Sequence, residues 1–305
     1  MLSFIINRLL QAIPTIWVII TITFFLIMNA PGDPFSAERE IREETKQQLK
    51  EYYGLDKPQI VQYALYLKRL ATFDLGPSYK QEGRTINEII AESFPVSLEL
   101  GLLAMTVSLL IGVPAGVLAA SRKNTSLDYV PMSAAMIGIC MPTFVIGPIL
   151  GLVCGVGLGW FNVAGWFSFQ DRILPATTLG LAYAAYIARL TRAGMLETLN
   201  LDYIRTARAK GLREHTVVLR HALRGGIMPV VSFLGPAMAG MISGSFVVET
   251  IFQVPGLGRY FIDGALNRDY SMILGTTIFY ATLVILANLL VDVCHTLLDP
   301  KLRKA

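Results

Sequence analysis

Charge is scarce in this sequence: 16% of its 305 residues are Asp, Glu, Lys or Arg, while 53% are hydrophobic, against about 25% charged in ordinary soluble domains. A water-soluble fold has too little polar surface to hide that much apolar side chain. Cysteine is nearly missing. Cys140, Cys154 and Cys294 lie in or beside apolar stretches with no CxxC pairing, which argues against a disulfide framework and a zinc site. Three histidines, His215, His221 and His295, lack the spacing of a metal cluster, and there is no H-E-x-x-H and no nucleophile elbow, so nothing points to an enzyme. The phosphate-cradling G-x-x-x-x-G-K-S/T run is absent too, so this chain is not expected to hold ATP itself.

What fills the sequence instead is long runs without charge. Leu9–Gly32, Leu100–Ser121, Tyr129–Gln170, Gly225–Val248 and Tyr270–Val291 contain no Asp, Glu, Lys or Arg, and about 20 apolar residues cross the hydrocarbon core. Ile173–Ala188 is shorter, but Arg172 and Arg189 flank it, and long Arg stems reach back to the interface. The first run is too long for a signal peptide and leads into Ala30-Pro31-Gly32-Asp33-Pro34 without a small-x-small cleavage site, so it is expected to be retained as a helix.

The formal net charge of +4 is distributed as membrane topology distributes it, not as a nucleic-acid patch. Between Arg189 and Arg224 stand eight basic residues against three acidic ones; between Asp33 and Glu92 stand nine against eleven. The positive-inside rule places the first of these, with Arg8, Arg122-Lys123 and Lys301–Lys304, in the cytoplasm. Six helices with both termini cytoplasmic satisfy all of them, provided the 42 residues of Tyr129–Gln170 hold one span and an outer loop. The expected fold is an all-α membrane protein with spans at 9–30, 97–120, 130–158, 173–193, 227–248 and 271–295. It divides into an N-terminal transmembrane helix (1–30), a periplasmic helical insert (31–95) and a five-helix core (96–305) with a cytoplasmic loop at about 194–226.

The insert reads as folded helix. Asp56-Lys57-Pro58 precedes the stripe Ile60, Tyr63, Ala64 and Leu67, a proline start before a one-faced helix. Thr85 and Glu88 have capping-box spacing ahead of Ile89 and Ile90, and Pro95 is expected to end that helix. Gly151, Gly155 and Gly159, and Gly240 with Gly244, have the spacing of close helix packing. Of the carboxylates near the spans, Glu99 and Asp292 lie toward span ends rather than at the midplane, which disfavours a stand-alone secondary transporter driven by an ion gradient.

The segment Asp202-Tyr203-Ile204-Arg205-Thr206-Ala207-Arg208-Ala209-Lys210-Gly211-Leu212 reads as a short helix stopped by Gly211, with a second helix from about Arg213 to Leu223 and Pro229 opening the fifth span. On composition alone it serves equally as an anchor for the anionic headgroups of membrane lipids. Its pattern, however, resembles the coupling motif of ATP-binding-cassette importer permeases: Arg205-Thr206-Ala207 ahead of Gly211, then Ile227-Met228-Pro229. Arg205 stands where the general motif begins with glutamate, and Tyr203–Leu212 is itself similar to the oligopeptide/dipeptide/nickel branch. So are Pro31–Pro34, Asp74–Ser78, Arg122–Thr125, Ala188–Arg192, Val248–Phe252, Pro255–Gly258, Asn267–Tyr270 and Leu298–Lys301, in order along nearly the whole chain. The features of the first helix and the insert resemble the first of the two paired peptide permeases.

The resemblance implies a type I permease fold in a bacterial inner membrane, forming half of a pathway for peptides, or by the same mechanism for nickel or another small solute. It implies a second homologous permease, two cytoplasmic ATPases carrying ATP and magnesium, and a periplasmic or lipid-anchored binding protein. This chain would bring no cofactor of its own. The ATPases would grip Tyr203, Arg205, Thr206, Ala207, Arg208, Ala209, Lys210, Gly211 and Leu212, with the small residues set in a groove. The charged outer loop carrying Arg259, Asp263, Arg268 and Asp269 is the expected contact for the binding protein.

Overall fold

A computed structural model describes residues 2–30 and 43–298. The Pro31–Pro34 motif, the tail from Asp299 and the side chains of Asp292, Cys294 and His295 lie outside the described residues. Fourteen α-helices are described: α1 Leu2–Met28, α2 Glu43–Tyr53, α3 Gln59–Leu70, α4 Ile86–Ser121, α5 Ser126–Cys140, α6 Thr143–Leu150, α7 Phe169–Leu199, α8 Asp202–Ala209, α9 Glu214–Thr216, α10 Leu223–Gly226, α11 Met228–Gly244, α12 Phe246–Ile251, α13 Leu257–Leu266 and α14 Tyr270–Leu298. Two π-helical turns, Gly151–Gly157 and Val217–Ala222, join α6 to the following loop and α9 to α10. Among the described residues no strand forms, only an isolated bridge between Pro77 and Thr85.

Five stretches are long and apolar enough to cross a membrane: Leu10–Met28, Ile86–Ser121, Phe169–Leu199, Met228–Ile251 and Tyr270–Val291. The third expected span is broken. α5 and the α6 segment to Gly157 meet at 108° around Met141-Pro142, and counting the pair as one span makes six. Met141 is extended (φ −86°, ψ 119°), as a residue before proline prefers. Pro95 does not end its helix as expected, because α4 runs through it for 36 residues. At 1.5 Å per residue α4 is about 54 Å long, well beyond the hydrocarbon core of about 30 Å.

The chain divides into two compact units. The first, Met1–Ser97 with Pro255–Leu286, contains the insert. Its capping box forms as expected: the Glu88 carboxylate accepts from the Thr85 N–H at 3.0 Å, and the Glu88 N–H donates to Thr85 Oγ1 at 3.2 Å. α3 starts directly after Pro58. Ile20, Phe24, Ile27, Leu49, Tyr66, Tyr79, Tyr270, Leu274 and Ile278 make one buried cluster, so the insert packs on α1 and the start of α14 as a folded part. Tyr53 stacks on Tyr79 with centroids 4.8 Å apart and donates its hydroxyl to the Pro77 carbonyl at 2.6 Å. Burial pushes the Tyr53, Tyr66 and Tyr79 hydroxyls above their ordinary value. Tyr52, burial helped by its bond to Asp74 at 2.6 Å, is pushed up to about 12.

The second unit, Leu98–Val254 with Ala287–Ala305, is a helical bundle around α7. Of the close approaches expected from Gly151–Gly159 and Gly240–Gly244, one forms between helices: a Cβ on Gly240 of α11 would lie 2.5 Å from the Tyr183 hydroxyl of α7. A Cβ on Gly112 or Gly116 of α4 would come within 2.6 and 2.5 Å of the Ala184 and Ala188 carbonyl oxygens of α7. These two glycines have the same four-residue spacing, and the sequence reading passed over them. Gly151 and Gly155 instead face Val163 of their own loop, and Gly159 and Gly244 face open space. Glu99 pairs with Arg172 at 2.6 Å. Three buried carboxylates of this unit carry no signal in the sequence, Asp128, Asp171 and Glu249; Glu249 is fully buried and accepts from Ser245 Oγ at 2.6 Å.

Candidate coupling surface

The loop between α7 and α11 is built so that one side is fastened and the other is free. Leu201 precedes α8 in extended conformation, and its carbonyl accepts from the Ile204 and Arg205 N–H groups at 3.0 and 3.3 Å. α8 then alternates by helical period. Ile204 and Ala207 are buried, whereas Tyr203, Arg205, Thr206, Arg208, Ala209 and Lys210 are exposed. The buried pair joins Val217, Val218 and Ala222 in a cluster resting on Ala120 of α4 and Met195 of α7, with Val117, Leu196 and Leu199 around it.

The expected stop at Gly211 forms as a complete helix cap. The Gly211 N–H donates to the Arg208 carbonyl at 2.9 Å, and the Leu212 N–H to that of Ala207 at 3.4 Å, the paired bonds of a Schellman turn. That turn needs its penultimate residue in the left-handed region, and Gly211 has φ +78°, which glycine adopts without a side-chain clash. Arg208 reaches across the turn with both guanidinium contacts, Nε to Glu214 Oε2 at 3.1 Å and Nη2 to Oε1 at 2.7 Å. That hydrogen-bonded pair holds the Glu214 carboxyl below the usual carboxylate range and raises Arg208. The chain leaves through α9, the π turn and α10, and its end is pressed to α7: a Cβ on Gly194 would meet the Gly226 carbonyl oxygen at 2.3 Å.

The eleven residues from Asp202 to Leu212 are thus brought together, with one reassignment. Ala207 is 7% exposed and belongs to the loop's own core, because the 3.6-residue period turns it to the side of Ile204. The outward face is Tyr203, Arg205, Thr206, Arg208, Ala209, Lys210, Gly211 and Leu212. Around Gly211 that face is empty, since a Cβ there would meet nothing within 4 Å.

The outer-loop set is divided by the structure. Arg259 and Asp263, four apart on α13, lie 3.8 Å apart and are exposed, as is Arg268. Asp269 is not a surface residue: it is 2% exposed. It accepts from Ser78 Oγ, from the Tyr79 N–H at 3.2 Å, from Ser271 Oγ at 2.8 Å and from the Met272 N–H at 3.1 Å. Its partners lie up to 191 residues away, so its burial was invisible in the local sequence. A carboxylate at the start of α14 is there to close the helix end and tie it to the insert.

Five helices long and apolar enough to cross a membrane, or six with the bent pair counted as one span, and no strand among the described residues define an all-α membrane protein of the importer-permease kind. The fold has solved counterparts. An inward-facing structure of the MetNI methionine ABC transporter superposes with TM-score 0.58 at 17% identity, covering 69% of this chain and 96% of that one.

Residues 112–304 match the family described as binding-protein-dependent transport system inner membrane component, and residues 1–101 match its N-terminal companion. The chain belongs to this family of binding-protein-dependent transport permeases. It is similar to the oligopeptide transport system permease protein OppB of Haemophilus influenzae, 46% identical over 99% of this chain and all of that one. OppB of Salmonella typhimurium is 47% identical with the same coverage. The dipeptide transport system permease protein DppB of Bacillus subtilis is 44% identical over 99% of this chain and 98% of that protein.

Proposed function

We propose that this chain is one of two pore-forming permeases of an ATP-driven importer that carries peptides across a bacterial inner membrane. The insert faces the periplasm, and the α8 loop faces the cytoplasm. The second half of the pathway is a homologous permease. Two ATPases, which hold ATP and magnesium, grip the outward face of α8 around Gly211. The binding protein delivers substrate to the opposite side, where exposed Arg259, Asp263 and Arg268 form the contact.

The observation that carries the coupling assignment is the fastened underside of α8 beneath a bare outer face. A helix free to swing would absorb a push, whereas one packed on Ala120 and Met195 passes it to α4 and α7. A lipid anchor needs no such rigidity, because headgroup attraction acts through the charges wherever they point. Peptide as the substrate rests on the relatives named above.

The test is the intact complex, purified gently and reconstituted with its binding protein. Peptide-loaded binding protein is expected to stimulate ATP hydrolysis and drive uptake of labelled peptide. Stimulation by nickel and not by peptide would replace the substrate; uptake by this chain alone under an ion gradient would replace the mechanism.

A further inference from the structure

Asp128 is a carboxylate almost wholly withdrawn from solvent, 1% exposed, at the start of α5. Both of its oxygens are engaged. Arg192 of α7 donates from Nε at 2.6 Å and from Nη2 at 2.8 Å, and the Asn124 N–H donates at 3.0 Å. Asn124 itself is held left-handed (φ +62°) in the turn between α4 and α5, where Thr125 Oγ1 donates to the Arg122 carbonyl at 2.5 Å. The turn is therefore formed around the carboxylate that Arg192 holds.

We infer that the Asp128–Arg192 pair is a positioning link through which movement of the α8 loop is passed to the broken third span. The inference rests on the proposal that α8 is the surface the ATPases grip. α4 and α7 lie directly under α8 and are locked by backbone contact at Gly112 and Gly116. α5 is held differently. Its apolar contact with α7 centres on small side chains, Ala135 against Ala185 and Ala188, with Met132 and Ile139 of α5 packed at the edges.

The ion pair adds a directional contact to that packing. A two-pronged guanidinium–carboxylate contact fixes orientation as well as distance. Its net worth as stabilisation is small, because desolvation offsets attraction, so holding register is the larger part of what it does. α5 ends at Cys140, where the chain turns by 108° into α6. α6 packs farther back along α7 and beside the end of α12, with Gly147 against Thr178 and Phe252. The link thus holds the start of the bent span to the block under α8, so that movement of that block reaches the bend through α5.

The experiment uses the reconstituted complex carrying Asp128→Asn, Arg192→Lys or the exchange Asp128→Arg with Arg192→Asp. ATPase retention, basal hydrolysis and peptide taken up per ATP hydrolysed are measured for each. Asp128→Asn is expected to keep the ATPases and basal hydrolysis while uptake per ATP falls by about 2- to 30-fold, the range for changes within a coupled network. Arg192→Lys, which keeps charge but loses the fork, is expected to fall between, and the exchange to recover part of the loss.

A merely structural pair would lower the amount of complex and leave the ratio of uptake to hydrolysis unchanged; that result overturns the inference. If Asp128→Asn does not accumulate, an unchanged ratio in Arg192→Lys overturns it equally. Gly211→Leu is run beside them. Normal uptake there removes the coupling role of α8, whereas a defect there with a normal ratio at Asp128 removes only the link.

Discussion

Replacing Gly211 separates what the loop needs for itself from what it offers a partner. A side chain at φ +78° costs about 1–2 kcal/mol, and losing glycine's freedom in the unfolded chain returns about 0.4–1 kcal/mol. The net for Gly211→Ala is therefore about 1 kcal/mol. Because a Cβ there meets nothing within 4 Å, Gly211→Leu carries no further clash inside the chain and should insert and accumulate like the alanine variant. Asparagine tolerates the left-handed region and should be milder still. If an ATPase surface closes over this turn, leucine alone adds overpacking, about 1–3 kcal/mol at a close-fitting contact. The assay is membrane insertion, ATPase co-purification and peptide uptake for all three. The expected order of defect is Leu far above Ala, with Asn least. Equal defects in Ala and Leu would show that only the turn's conformation matters, and normal uptake with Leu would refute the contact.

Three further outcomes follow from the same geometry. Asp269→Ala removes the acceptor of the Ser78 hydroxyl and of the Tyr79 and Met272 N–H groups, and should destabilise the protein by about 3 kcal/mol, read as a lower melting temperature in detergent with Arg268→Ala as the near-neutral comparison. Gly116→Leu has to displace the Ala188 carbonyl and Thr191, each 2.5 Å from the added carbon, and should cost 1–3 kcal/mol or more, seen as loss of inserted protein; full accumulation would contradict the helix contact. The Arg208–Glu214 clasp should depend on pH in one direction. Glu214 is lowered in the fold, so its contribution is present above the ordinary carboxylate value of about 4.3 and is lost as pH falls through its depressed folded value. Hydrogen exchange at Gly211 and Leu212, corrected for intrinsic rates, should quicken there in the native chain and show no such pH step in Glu214→Gln.

Much of the fold was legible because membranes reduce the question to a few strong signals. Charge-free runs marked the spans, Thr85 with Glu88 announced a helix start that forms as read, and Gly211 announced a stop. What escaped was set mostly by contacts between distant residues. Pro95 reads as a terminator but is carried within α4. Pro142 was the opposite case: its local signal was present, and the break it causes was hidden inside a run assumed to hold one straight span. Ala207 reads with the small outward residues by its type alone, although its spacing from Ile204 places it inward. Asp128 with Arg192, 64 residues apart, and Asp269 with Ser78 had no local signal at all.

The tyrosine-rich core of the first unit has a bearing on the surroundings in which the transporter works. Met1–Ser97 and Pro255–Leu286 contain neither histidine nor cysteine, so no imidazole is present to titrate between pH 5 and 8 and no thiol to be oxidised. The hydroxyls buried there are displaced upward and stay protonated well beyond the ordinary tyrosine value of about 10. The unit that carries the insert thus offers neither an imidazole nor a thiol to its surroundings, while all three histidines and all three cysteines lie in the other unit.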